Sequence, residues 1–225
     1  MATNVVSIAT LPRDCSDKSA WNELVSRQKD FRLLSLRIAP DAFGSTYARE
    51  QQFTWDVWEN RLTNVQATTF VAVLGGLNQT TESHDGPGVK EILQRGWLGQ
   101  LVLIRMKQDD RAKLSASQSP WTALKGGETS EDALAHYHLN GMFVVPSARK
   151  QGIARKLVEH ALIRTRPGGS ITQKYTVIIW AKNEAARRTF ESCGFKVIGE
   201  EMHQSGSREQ PRRELALMME HGRSS

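Results

Sequence analysis

The stretch VVPSARKQGIARKLVEHAL, residues 144–162, runs from an apolar segment through a proline and a basic turn into a helix. Pro146 ends the preceding strand, because it brings no N–H to a ladder. Gly152 and Ala154 keep the turn free of bulk, while Ile153, Leu157, Ala161 and Leu162 repeat at helical spacing and predict an inward stripe. Such a turn aims consecutive amide donors outward. At a helix N-terminus those unpaired N–H groups and the macrodipole favour phosphate, and small residues let the phosphate come close to the backbone. Lys150, Arg155 and Lys156 add positive charge. The sequence lacks both GxxxxGK followed by Ser or Thr and GxGxxG, which argues against a nucleoside-triphosphate P-loop and against a dinucleotide fold.

Around this turn the charge is uneven. The chain carries a net charge of +6, yet residues 149–188 hold ten Lys or Arg against two Glu, so the remainder is slightly acidic. A cluster of that size suits a compact polyanion at least as well as a long duplex, and no nucleic-acid recognition motif accompanies it. The other bounds are broad. With 225 residues, 39% hydrophobic and 24% charged, the composition is that of a globular chain, and it predicts one domain over residues 1–225. No apolar run approaches the roughly 18 residues of a membrane span. The opening MATNVVSIATLPRD has neither a basic leader nor a long apolar core, which predicts no secretory signal and a cytoplasmic location. Cys15 and Cys193 lie far apart without metal-ligand spacing, so free thiols and no metal site are expected.

Along the chain, VVSIAT (residues 5–10) reads as a first strand or an unordered tail. Trp21, Leu24, Val25, Phe31, Leu34 and Ile38 predict one helix or a broken pair over residues 19–38, stopped by Pro40. Ser45 is a candidate cap for a second helix through Leu62, with Phe53, Val57, Trp58 and Leu62 on its apolar side and Glu50, Asp56 and Glu59 on the other. Residues 68–74, 97–106, 135–145, 175–181 and 212–219 read as strands, the third of them bulged at Asn140-Gly141. A short helix is predicted over residues 183–193. Polar inserts at about 75–94 and 107–132 read as loops, and residues 221–225 as a flexible tail.

The pattern formed by Arg149, Gly152 and Ala154, after a strand ending V-x-P, resembles motif A of the GNAT acyltransferase superfamily. Asn183, Ala186, Phe190 and Gly194-Phe195 resemble that family's segment after the fifth strand, and residues 40–51 resemble the turn between its first two helices. The resemblance is tight from His138 to Phe195 and loose before. It implies an α/β fold, a mixed, mostly antiparallel sheet flanked by helices, whose fourth and fifth strands splay to admit acetyl-CoA. It further implies that backbone at Phe143, Val144 and Val145 pairs with the pantetheine arm, and that Arg149, Lys150, Gln151, Gly152, Ile153, Ala154 and Arg155 surround the pyrophosphate. Asn183 would lie beside the pantetheine with Ala186 near it, and Asn183 is equally a helix cap.

The implied chemistry is transfer of an acetyl group from acetyl-CoA to a primary amine by direct attack. Many members have Tyr where Phe190 stands; Phe offers no proton, and with Gly194 as the residue after the helix cap, Phe190 and Phe195 would make the apolar contact of that cap. Where members often carry a Glu in the fourth strand this chain has His138, an imidazole whose ordinary pKa of about 6.5 suits a general base. The same histidine also reads as a packed sheet residue. Tyr137 should face the opposite side of the pleat. Asp56 and Glu59 would form an acidic rim for the amine, or plain solvent-facing helix charges. A non-catalytic acyl-CoA-binding or regulatory module is the alternative, motivated by Phe190. No membrane partner is expected, nucleic acid is disfavoured, and the assembly is a monomer or homodimer.

Overall fold

The computed structural model describes residues 5–77, 87–106, 134–165, 172–206 and 211–223. Among the described residues seven strands form one sheet: β1 (Val6–Thr10), β2 (Ala67–Leu74), β3 (Trp97–Met106), β4 (Leu134–Val144), β5 (Thr172–Trp180), β6 (Lys196–Gly206) and β7 (Pro211–Arg223), in the order β1-β2-β3-β4-β5-β7-β6. Every neighbouring pair is antiparallel except β4 and β5, which run parallel. The helices are α1 (Lys18–Ile38), α2 (Tyr47–Glu50), α3 (Trp55–Thr63), α4 (Pro87–Gln94), α5 (Ile153–Arg164) and α6 (Glu184–Ser192). No helix among the described residues is long and apolar enough to cross a membrane.

Alternation along the strands divides the sheet into two faces. Phe70, Ala72, Leu101, Leu103, Leu139, Tyr175, Val177, Leu217 and Met219 meet the stripe of α5 (Ile153, Leu157, Val158, Ala161 and Leu162) and Phe190 of α6 on one face. Val71, Val73, Trp97 and Phe143 meet α1, α3 and α4 through Leu24, Val25, Phe31, Trp58 and Ile92 on the other.

Several expectations change. The helix expected from Ser45 to Leu62 is two helices: Thr46 caps α2, accepting from the N–H of Arg49, and Phe53 falls in the break. The segment 75–94 is not all loop, because α4 occupies its second half and buries Val89, Ile92 and Leu93, a spacing the Gly, Ser and Asp around it obscure. Strand β7 runs to Arg223, with His221 opposite Tyr175, so residues 221–223 belong to the sheet rather than to a flexible tail. Strand β6 was not anticipated, since its Glu200, Glu201 and His203 interrupt the apolar signal. The insert at 107–132 lies outside the described residues.

The break between α2 and α3 serves a buried charge. Glu50, 2% exposed, accepts from Nε and Nη2 of Arg32 at 3.1 and 2.8 Å, and from Nη1 of Arg61 at 3.0 Å. Both guanidiniums rest on rings, Arg32 over Phe43 at 4.6 Å and Arg61 over Trp58 at 4.6 Å. Burial alone would raise the Glu50 pKa, but the two arginines, Arg32 first, outweigh it and hold the carboxyl at about 2. The charge therefore ties α1, α2 and α3 into one cap over the second face. Removing it leaves two buried guanidiniums facing each other, so Glu50→Gln should lower the unfolding free energy by about 3–5 kcal/mol in urea titration at pH 7. Because the folded pKa is depressed, the contribution of Glu50 is complete above about pH 4.5 and should be lost as pH falls towards about 2.

Candidate active site between the fourth and fifth strands

Strands β4 and β5 pair from Leu134 with Thr172 to Leu139 with Val177, and there the ladder ends although the strands continue to Val144 and Trp180. Two commitments pull them apart. β5 stays paired with β7 through Trp180. β4 stays with β3 but takes a bulge, Gln100 opposite Phe143 and Val102 opposite Asn140, with Gly141 at φ 63°. The expected bulge at Asn140-Gly141 is thus present, and it lies where the two strands part.

Beyond Val144 the chain turns through Pro146–Ala148, a single 3-10 turn, into Arg149 to Gly152. Lys150 (φ 61°) and Gly152 (φ 74°) both take left-handed backbone, the first at a cost of about 1–2 kcal/mol for a residue with a Cβ. Gly152 is the N-cap of α5; no side chain bonds into the first turn of that helix, and a Cβ on Gly152 would meet open space. The amides of the first turn thus face outward with no protein group in front of the glycine. Arg149 turns back instead: its Nε donates to the Val144 carbonyl at 3.0 Å and its guanidinium lies over Phe143 at 5.9 Å. Arg155 pairs with Glu159 at 2.7 Å along the helix. Among the described residues Lys150 and Lys156 have no carboxylate partner.

Much of the surrounding positive charge is balanced. Lys174 pairs with Glu220, Lys182 with Glu214, Arg187 with Glu191 and Arg188 with Glu184. Among the described residues the sequence cluster is therefore interspersed with carboxylates.

Across the gap, Asn183 caps α6, its Oδ1 accepting from the N–H of Ala186 at 3.1 Å, which leaves the side-chain NH2 for another partner. At the far end of α6 the N–H of Phe195 bonds the Phe190 carbonyl and that of Gly194 bonds the Glu191 carbonyl. With Phe190 and Phe195 edge to face at 5.2 Å, this is the Schellman termination expected from the sequence. Phe190 is 1% exposed, inside the apolar face. The Cys193 thiol is pushed up by burial, away from ready ionisation.

At the apex, where pairing ends, the second face carries a polar group. Nδ1 of His138 lies 3.0 Å from Oγ1 of Thr176, and Nε2 of His136 lies 2.8 Å from the same oxygen. All three residues are 3% exposed or less. Burial, with His136 beside it, pushes the His138 imidazole down to about 3, so the ordinary value near 6.5 expected from sequence is corrected: the ring is neutral throughout the physiological range. Tyr137 faces the other way and stacks on Tyr175 at 5.5 Å. His136 and Thr176 were missed by sequence reading; the alternation of AHYHL, which puts His136 and His138 on one side, is the signal that points to the first.

The acidic residues of α3 separate. Asp56 is exposed, whereas Glu59 accepts from the Trp21 indole at 2.6 Å and is spent on packing α3 against α1. Further along the second face, Trp180 lies 5.2 Å from the His203 ring, and Gly44 of the loop after α1 approaches that ring. Neither Trp180 nor His203 was singled out in the sequence. Among the described residues no cluster of His, Cys, Asp or Glu has the makings of a metal site.

Comparison with known proteins agrees with this geometry. Residues 122–213 match the model of the acetyltransferase (GNAT) domain. Arabidopsis thaliana NAA60 in complex with acetyl-CoA superposes with a TM-score of 0.55 at 14% identity, over 97% of this chain and 98% of that one. Spermidine N-acetyltransferase from Vibrio cholerae, in complex with CoA and spermine, gives 0.54 at 12% identity over 96% and 95%. A GNAT-family acetyltransferase from Streptococcus pneumoniae gives 0.55 at 13% identity over 97% and 99%. No curated protein matches the sequence. The fold is the GNAT fold, and the resemblance read from the sequence holds.

Gly194 offers a direct check on the α6 termination. It sits at φ 86°, and a Cβ there would come within 3.0 Å of the His221 ring. Gly194→Ala should therefore cost at least about 1–2 kcal/mol of stability in urea unfolding.

Proposed function

We propose that this chain, a GNAT-fold acetyltransferase, moves the acetyl group of acetyl-CoA to a primary amine by direct attack, without an acyl-enzyme. The observation that carries this reading is the open cradle at Gly152. An uncapped helix N-terminus with a left-handed glycine and open space before it stands at the end of a strand that has just left its parallel neighbour. A phosphate group fits there on charge and on volume.

In this reading Phe143, Val144 and Val145 present the free edge of β4 to the pantetheine arm. Arg149, Lys150, Gln151, Gly152, Ile153, Ala154 and Arg155 form the rim of the pyrophosphate site, with Lys150 supplying the unbalanced charge and Arg149 bracing Val144 from behind. Asn183 and Ala186 close the opposite side, the Asn183 amide NH2 being free to donate. Bound acetyl-CoA supplies an acetyl group already activated as a thioester. The acceptor enters from the second face, where Asp56 is the exposed carboxylate available to an ammonium; Glu59, held by Trp21, contributes less. Complexes of the neighbours with acetyl-CoA, and with CoA and spermine, support the ligand classes.

His138 takes a revised part. An imidazole that titrates near 3 is a poor acceptor for an ammonium proton, so the amine loses its proton to solvent before attack. Neutral His138 then orients the attacking N–H by accepting a hydrogen bond. We place the whole of residues 1–225 in one domain acting in the cytoplasm as a monomer or homodimer. The paired cations weaken the nucleic-acid reading. A non-catalytic acyl-CoA-binding module is the competing reading, and release of CoA thiol against a panel of primary amines separates the two.

Acetyl-CoA should stabilise the native state by about 2.7 kcal/mol at a hundredfold excess over its Kd, read as a rise in Tm. Gly152→Asp, which puts bulk and negative charge into the cradle, should abolish most of that rise in a folded protein. An unchanged Kd for acetyl-CoA in calorimetric titration of this variant sinks the cofactor assignment.

The pH profile tests the role of His138. With the ring neutral above about pH 3, the ascending limb of kcat/KM should follow the acceptor amine and shift when the amine is changed. His138→Gln should lower turnover about 10-fold, the worth of one hydrogen bond, and leave the limb in place. A limb near pH 6.5 that vanishes in the variant would restore His138 as a general base.

A further inference from the structure

Thr176 holds one hydroxyl proton and has two buried ring nitrogens within reach, Nε2 of His136 at 2.8 Å and Nδ1 of His138 at 3.0 Å. A hydroxyl donates once and accepts twice, so only one of those nitrogens can receive the proton, and the other must itself be an N–H. The backbone carbonyl of Tyr137, at 3.5 Å, is the remaining acceptor and a much poorer one. The hydroxyl therefore couples the two rings. If His138 donates from Nδ1, Thr176 donates to His136, and the far nitrogen of His138, Nε2, is a lone pair with no partner among the described residues. If the direction reverses, Nε2 of His138 carries the proton and has nothing to offer an attacking N–H.

The register places this unit on β5 and β4 at the last paired positions before the gap: His136 opposite Lys174 and His138 opposite Thr176, one step short of Leu139 and Val177. From the neighbouring strands Ile104 and Met106 flank the two rings, and Glu220 is opposite Thr176 on β7, paired with Lys174 at 2.5 Å. Among the described residues, Lys174 and Glu220 are the charges of the adjoining strands on this side and they pair with each other, while Arg105 of β3 lies opposite Tyr137, one pleat out of step with the two histidines; the unit is a polar patch within an apolar face. Resting on the acetyl-transfer reading above, we propose that Thr176 is a positioning residue: its hydroxyl accepts from Nδ1–H of His138 and donates to Nε2 of His136, fixing His138 with its Nε2 lone pair available to the acceptor amine.

The experiment joins nitrogen-15 NMR of the histidine rings with steady-state kinetics on wild type, Thr176→Ser and Thr176→Val. In the ligand-free wild type both His136 and His138 should be Nδ1–H tautomers. Thr176→Val should move His138 away from that tautomer and lower kcat about 10-fold, with the KM for acetyl-CoA held within about 3-fold; Thr176→Ser should restore both. An Nε2–H tautomer for His138 in wild type overturns the proposal, and that measurement stands whether or not Thr176→Val folds and whether or not any amine is acetylated. A folded Thr176→Val with unchanged tautomer and unchanged kcat overturns it as well. So does an equal loss of acetyl-CoA binding, which marks Thr176 as a plain strand clasp.

Discussion

The site depends on the point where β4 and β5 stop sharing hydrogen bonds. Each strand has a second neighbour that does not let go: β3 holds β4, and β7 holds β5 as far as Trp180. With those ladders fixed, the bulge at Gly141 turns β4 away and leaves the facing edges of both strands without a sheet partner. Backbone N–H and C=O groups in such a position must find another partner, from water or from a ligand whose own amides run along the strand. A pantetheine arm carries two amides of that kind. The gap is therefore a defect in the sheet whose open edges match the binding surface proposed above.

Two kinds of buried polar group stand on the same side of the sheet, and they are made differently. Glu50 is charged, and it remains so because two guanidiniums with aromatic undersides surround it. His136, Thr176 and His138 are buried without a counter-charge among them, and the His138 ring responds by staying neutral. The first arrangement locks helices together and gains from rigidity. The second needs no counter-charge, which suits the role proposed for the apex, since a permanent charge there would need a partner at all times.

Legibility in the sequence followed how local the signal was. The turn from Pro146 to Ala154, the bulge at Asn140-Gly141 and the termination at Gly194-Phe195 were all readable, because each is set by a proline or glycine whose backbone demand is local. The placement of the strands flanking the gap followed from their apolar runs. Strand β6 and the Glu50 cluster were not readable. In β6 two adjacent glutamates and a histidine break the alternation, and only pairing with β7 makes the segment a strand. Glu50 looks like any helix charge until Arg32 and Arg61, 18 and 11 residues away, close on it. The same distance hid Thr176, which sits 38 residues from His138 and shows nothing of its own in YTVIIW. The ordinary pKa assumed for His138 failed for a related reason: burial is a property of the assembled sheet.

Phe190 is where packing displaces a polar side chain. A lone Tyr-to-Phe change at a family position reads as the loss of an acid. Here the residue is committed: its carbonyl accepts from Phe195, its ring meets Phe195 edge to face, and it is buried in the face that α5 covers. A hydroxyl at that para position would enter an apolar core and require a partner there, at a cost of roughly 1–3 kcal/mol if none is found. The position has been given to packing, and in the proposed acetyl transfer the proton for a departing thiolate would have to come from the side of the gap that remains polar. In the same reading the amine itself and solvent are the proton sources, because the Nδ1 proton of His138 and the Thr176 hydroxyl proton are committed to Thr176 and His136. In the proposed acetyl transfer, the lack of an acid at Phe190 and a neutral imidazole at His138 are compatible, because amine neutrality and alignment would then carry the reaction rather than strong acid and base side chains.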